Sequence, residues 1–139
     1  MKQQFKLYSF IALILISFGS CSKETLNSAE KDIVKNVIRT GKWNRLTKTV
    51  TTGSEAGIST ELLTDDAYLE FKSDNRAWIY QPGGGVATSV PYNVVDTRVM
   101  EYDGVTYRIQ ENIIGKISTM TLVNDSEGTR TQLVFKRND

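Results

Sequence analysis

The chain contains no histidine and a single cysteine, Cys21. Without histidine it lacks the usual general base near neutral pH and the commonest metal ligand. With one cysteine it can form neither an internal disulfide nor a thiolate metal cluster. Neither sign of charge prevails: 17 Lys+Arg stand against 16 Asp+Glu, a formal net charge of +1. Lys2 and Lys6 fall in a segment expected to be removed, and without residues 1–20 the count is 15 (17 − 2) against 16, a net of −1. The basic surface needed to neutralise a phosphate backbone is missing, so nucleic acid is not an expected partner. The length of 139 residues is that of one domain. A composition of 40% hydrophobic and 24% charged residues is ordinary for a globular protein.

The first twenty residues have the organisation of an export signal. Lys2 and Lys6 supply a positive start, and Leu7 to Phe18 is an apolar run. That run is too short to span a bilayer, which takes about 20 apolar residues. Gly19 and Ser20 are small, and Cys21 follows where an ordinary signal would have an A-x-A cleavage site. The box Phe18-Gly19-Ser20-Cys21 resembles that of bacterial lipoprotein precursors, with Phe18 where that family usually has Leu. The resemblance implies that Cys21 becomes the lipidated N-terminus of an exported, membrane-anchored protein. Several acyl chains on one residue would anchor it stably, since each buried CH₂ adds about 0.8 kcal/mol. Ser22 after the cysteine, with the resemblance, favours the outer membrane. The alternative is a plain signal anchor with an incidental cysteine. The expected organisation is signal peptide 1–20, lipidated cysteine and polar tether 21–28, and one domain over 29–139.

Asn27 can cap a helix, with Glu30 three residues on as in a capping box. Ile33, Val34, Val37 and Ile38 recur at the spacing that lines one helical face. Gly41 can stop the helix, because the residue after a helix end usually takes φ > 0. A helix over Ala29 to Arg39 is marginal alone, so its apolar stripe is expected to cover the domain; lying on a membrane surface is the alternative.

After Trp43 the helical period disappears. Short β-branched and aromatic runs alternate with turn residues, as in all-β barrels and sandwiches. Eight strands are predicted: Lys42 to Thr52, Ala67 to Lys72, Arg76 to Gln81, Val86 to Val95, Arg98 to Tyr102, Val105 to Glu111, Ile117 to Asn124 and Thr129 to Lys136. Asp103-Gly104 predicts a tight hairpin of the primed type. Short links force antiparallel neighbours. Eight meandering strands lose their open edges by closing, with the first strand beside the last. The expected fold is all-β, an eight-stranded antiparallel up-and-down barrel preceded by one short helix.

Gly41-Lys42-Trp43, after a short helix and at the start of the first strand, matches the G-x-W motif of lipocalins. Leu69-x-Phe71 followed by Asp74-Asn75, and the basic pair Lys136-Arg137, resemble the small lipocalin-like domains of bacterial lipoproteins. The resemblance spans roughly Ile33 to Arg137; the second and third lipocalin motifs are not visible. It implies that Trp43, with Gly41 before it, plugs one end of the barrel and that Arg137 or Lys136 packs over it by cation–π contact.

Four connections then share the far end: Gly53 to Asp66, Pro82 to Gly85, Asp103-Gly104 and Asp125 to Gly128. The long one carries Ile58, Leu62 and Leu63 and is a candidate lid over a ligand site. These leucines could equally start the second strand early or fill the core. Alternation places Leu69, Phe71, Tyr107, Ile109, Met120, Leu122, Leu133 and Phe135 inward. Trp78 and Tyr80 are expected inward. If they instead face solvent they form an aromatic patch suited to a sugar or a protein. Glu61, Asp65, Asp66 and Glu70 are the densest carboxylates and could hold Ca²⁺, but Asp-Asp before a strand is usually turn chemistry. The run Asn124 to Gly128 is turn chemistry likewise. No catalytic constellation, resident metal or cofactor is indicated. Two functions lead: an anchored binder of a small apolar or amphipathic ligand, or a non-catalytic envelope interaction or structural protein with a filled barrel contacting a protein or glycan. An enzyme is a weak third without histidine or a free thiol, though carboxylates alone can catalyse hydrolysis.

Overall fold

The computed structural model describes residues 23–83, 85 and 87–138. The signal segment and Cys21 lie outside the described residues. Helix α1 spans Lys23–Arg39, beginning four residues before the expected cap at Asn27. Lys23 to Leu26 are mostly good helix formers, and Glu24 in the first turn interacts favourably with the helix dipole. An interior Asn costs little against that, so residues 23–28 of the stretch expected as a tether are helical. Residues 23–30 are exposed on every side. Val34 and Ile38 are buried and Val37 packs against the core, whereas Ile33 is 46% exposed. The stripe is thus narrower than its spacing implied. No helix among the described residues is long and apolar enough to cross a membrane.

Nine strands follow: β1 (Arg45–Thr52), β2 (Ser59–Glu61), β3 (Tyr68–Phe71), β4 (Arg76–Tyr80), β5 (Thr88–Val94), β6 (Val99–Tyr102), β7 (Val105–Ile109), β8 (Thr119–Ser126) and β9 (Thr129–Lys136). They form one antiparallel sheet in the order β2-β1-β9-β8-β7-β6-β5-β4-β3. The first long strand lies beside the last, with Leu46 opposite Phe135 and Lys48 opposite Leu133. Asp103-Gly104 has φ of 51° and 77°, and Glu127-Gly128 has 50° and 77°. Both pairs carry the two positive φ values of a primed hairpin turn.

The sheet differs from the expected eight-stranded closed barrel in two respects. There are nine strands, because Ser59–Glu61 pairs with β1 through Thr47, Lys48 and Thr49. The sheet is also not closed. β2 occupies the outer edge of β1, and Leu62 to Ala67 then interrupts the ladder. Beyond the interruption, β3 meets the chain just before β1 through a single bridge. It joins Trp43 to Leu69, each amide donating to the other's carbonyl at 2.8 Å.

The inner face is apolar and filled. All eight residues expected inward are buried. Phe71 and Phe135 lie 5.6 Å apart between ring centroids, and each also meets Trp43 and Tyr102 at 5.4–6.3 Å. Tyr92 adds an edge-on contact to Phe71 at 4.9 Å. Met100, Met120, Leu46, Leu69 and Leu122 are fully buried around these rings. Burying each such side chain contributes roughly 1.5–3 kcal/mol. The helix lies over one end of this core, beside the turns that follow β3 and β5.

Burial pushes the hydroxyl pKa of Tyr102 well above its ordinary value, and raises those of Tyr92 and Tyr107 as well. A tyrosine whose folded pKa is raised binds its proton more tightly folded than unfolded. Its stabilisation is complete below pH ~10 and is lost as pH rises beyond that, at up to about 1.4 kcal/mol per pH unit for each group. Urea midpoints should therefore fall between about pH 10 and 12. Tyr102→Phe should flatten the steepest part of that fall.

Candidate functional site

Gly41, Trp43 and Arg137 come together at the end of α1. Gly41 adopts φ of 78°, the left-handed conformation that lets the chain turn back from the helix. The turn drops Trp43 into the core with no solvent exposure. Its indole Nε1–H donates to the Ile38 carbonyl at 3.0 Å. The Thr40 hydroxyl donates to the Asn36 carbonyl at 2.7 Å. The Arg137 guanidinium donates to the carbonyls of Val37, at 3.1 Å, Thr40 and Ile117. It also stacks 4.2 Å above the Trp43 ring. The helix's last carbonyls are thereby satisfied by a hydroxyl, an indole and a cation, at the negative end of its dipole. Arg39 adds a second tie, its Nε donating to the Tyr92 hydroxyl at 2.6 Å and an Nη to Asn75 Oδ1 at 3.1 Å. The Tyr92 hydroxyl donates in turn to the Lys72 carbonyl at 2.7 Å.

The residues expected as ligand or lid are divided by the structure. Leu63 belongs to the core. Ile58 and Leu62 are exposed, at 52% and 45%. They flank β2 in a hairpin that extends the sheet beside β1, so this segment stands along the wall where a lid was expected to fold over the mouth. The backbone explains it: Val50 and Leu62 amides donate to the carbonyls of Ile58 and Leu46 at 2.9 and 2.7 Å.

Trp78 and Tyr80 face outward, a correction to the inward expectation. Ala77 pairs with Phe71 and Ile79 with Leu69, so the register commits the odd-numbered side of β4 to the core. On the outer wall Tyr80 stacks on Tyr68 with centroids 4.9 Å apart and an 18° tilt. Lys42 Nζ lies 3.9 Å from the Tyr68 ring, and Lys72 Nζ lies 5.1 Å from Tyr80 and 6.0 Å from Trp78. The result is a column along the β3–β4 wall in which Lys42 and Lys72 flank the Tyr68–Tyr80 stack and Trp78 lies beyond Lys72. The hydrogen bond that Lys72 donates to the Tyr80 hydroxyl raises the lysine's pKa. The Trp78 indole donates to Asp74 at 2.9 Å and lowers that carboxyl's pKa. The sequence held one pointer to this arrangement: Arg76 shares the strand parity of Trp78 and Tyr80, whereas Ala77 and Ile79 alternate with them.

The carboxylates do not converge. Glu61 accepts from the Leu46 amide at 3.1 Å and the Thr47 hydroxyl at 2.9 Å, and pairs with Arg45 at 3.4 Å. Glu70 pairs with Lys72 at 3.7 Å on the outer wall. Asp65 and Asp66 border a surface cleft of about 300 Å³ at the interruption between β2 and β3, with Asn44, Arg45 and Asn138. No group of three or more potential metal ligands forms among the described residues. Asp125, expected as turn chemistry, is held by Arg130 and Arg108, which lower its pKa.

No protein-family model, curated protein or solved structure matches the chain.

Arg137→Met should lower stability by about 1–3 kcal/mol, because the partly buried carbonyls of Val37, Thr40 and Ile117 lose their charged donor. Arg137→Lys should recover less than half of that, since one ammonium cannot reach acceptors spread as a planar fork reaches them. Chemical unfolding of the three proteins measures both.

Proposed function

We propose that this is an exported, lipid-anchored protein of the cell envelope, held at the outer membrane through acyl chains on Cys21. In this reading its domain is a lipocalin-like barrel in which β2 and β3 are one interrupted strand, giving eight staves with Trp43 at the closed end. Two features support that reading: the pairing of β1 with β9, and the Trp43–Leu69 bridge across the remaining gap. The domain acts by contact with a protein or glycan and carries no catalysis.

The packed interior is the observation that carries the choice of a contact role. The rings of Trp43, Phe71, Tyr102 and Phe135 occupy the space a carrier would keep for its ligand. What remains for recognition is the exterior, where the Tyr68–Tyr80–Trp78 column is the largest aromatic feature. A second reading, capture of a small apolar or amphipathic ligand, draws on Ile58, Leu62 and Val105. These are exposed although their strand parity is that of the inner face.

Native mass spectrometry of protein purified from its own cells separates the two readings. A contact protein should show the mass of the processed chain and its acyl groups alone. A reproducible further mass that leaves on denaturation would transfer the assignment to a carrier. For the anchor, Cys21→Ser should move the protein from membranes to the soluble fraction. Continued membrane association of that variant would refute lipidation at Cys21.

A further inference from the structure

The sheet ends in β2, and its free edge is organised for a particular neighbour. Ser59, Thr60 and Glu61 are all exposed. Pairing with β1 fixes which backbone groups point away. The Leu62 amide and the Ile58 carbonyl bond to β1, while the Ile58 amide closes the preceding turn on the Glu55 carbonyl at 3.2 Å. Strand parity then turns the backbone groups of Thr60 toward the ladder as well. Ser59 and Glu61 direct theirs to the open edge. Exposed Ile58 and Leu62 flank the strand on the opposite side-chain face from Ser59 and Glu61. A free edge beside exposed apolar side chains is a template for another strand.

We propose that two copies of this chain associate through antiparallel pairing of β2 with β2, about a two-fold axis at Thr60. The register is self-complementary. With Thr60 facing Thr60 of the second copy, Ser59 faces Glu61 of that copy and Glu61 faces its Ser59. These are the residues whose backbone groups have no partner among the described residues, and they exchange roughly four hydrogen bonds. The same register sets Ile58 against Leu62 of the second copy, and the reverse, so both exposed apolar side chains gain a partner. Centring the axis on Glu61 instead would oppose two carboxylates, which is destabilising. The Glu61 charge is already met by Arg45 at 3.4 Å, so bringing up a second copy leaves no bare carboxylate at the contact. Such an isologous contact closes on itself as a dimer.

The contact is smaller than the roughly 1,000 Å² of a stable soluble interface. Confinement of both copies to one membrane raises their effective concentration and offsets that. This last point rests on the anchoring proposed above, whereas the pairing itself does not.

The test is a disulfide scan under a mild oxidant. It uses the full chain in isolated membranes, and in parallel the Cys21→Ser chain at high concentration in solution. An antiparallel pair without mutual hydrogen bonds brings Cα atoms to about 4.5 Å, within disulfide range. Thr60→Cys should therefore give a linked dimer at least about tenfold above Ser59→Cys, whose two thiols sit out of register. Adding Ser59→Pro, which removes an edge donor and none from the β1 ladder, should abolish the Thr60→Cys link. Equal linking at positions 59 and 60, no dimer from Thr60→Cys in either setting, or a mixed disulfide to another protein in its place would overturn the proposal. A Thr60→Cys dimer in isolated membranes, together with a Cys21→Ser chain that still fractionates with them, would retain the pairing and remove only the anchor.

Discussion

The fold depends on how the last turn of α1 is finished. A helix that ends over an apolar core presents carbonyls with reduced access to water, and a buried one left unmet costs about 1–3 kcal/mol. Here the donors come from Trp43 and Arg137, on the chain immediately after the helix and at the far end of β9. The tryptophan also fills the core, and the arginine covers the tryptophan's face. One cluster thus joins the helix, the first strand and the last, and positions Trp43 to bridge β3. A substitution there would affect capping, packing and the bridge together.

Much of this was legible in the sequence, for physical reasons that differ between elements. Leu69 and Phe71, or Leu133 and Phe135, recur at every second position, so the face they bury follows from the period of a strand. Asp103-Gly104 required two positive φ values, and few residue pairs adopt them cheaply. Gly41, Trp43 and Arg137 were brought together by resemblance alone, since nothing in spacing links residues about a hundred positions apart. The orientation of Trp78 and Tyr80 was only faintly legible. β4 has large apolar residues on both faces, with Arg76 alone marking the outer one, and its register against Phe71 decides between them. β2 was hidden because Ser59, Thr60 and Glu61 form a strand by lying against β1, and three residues carry too little pattern to announce it. The start of α1 was displaced because a suitable cap at Asn27 does not prevent a helix from beginning earlier.

On the proposed contact role, the packed aromatic cluster inside directs attention to the outside of the sheet. Its two terminal strands are treated differently there. β3 and its neighbour β4 carry rings interleaved with Lys42 and Lys72, so the apolar faces of that wall are already covered by cations of the same chain. Lysines beside an edge also discourage unwanted strand addition. β2 has no such cover. Its flanking Ile58 and Leu62 are bare while its one charge is neutralised locally. The same sheet therefore protects one edge and leaves the other available.

The tie between Arg137 and the carbonyls of Val37 and Thr40 spans 100 and 97 positions of sequence. A chain that emerges from its N-terminus therefore makes α1 and Trp43 long before it can finish the cap that holds them. Until β9 arrives, β1 has no long partner, the helix carbonyls lack their cation and the tryptophan lacks its cover. Closing so long a loop carries most of its entropic cost before any return from packing. The geometry thus delays completion of the fold until nearly the whole domain is available. Such a chain stays fit to thread a narrow pore until its last strand is released, as the proposed export requires.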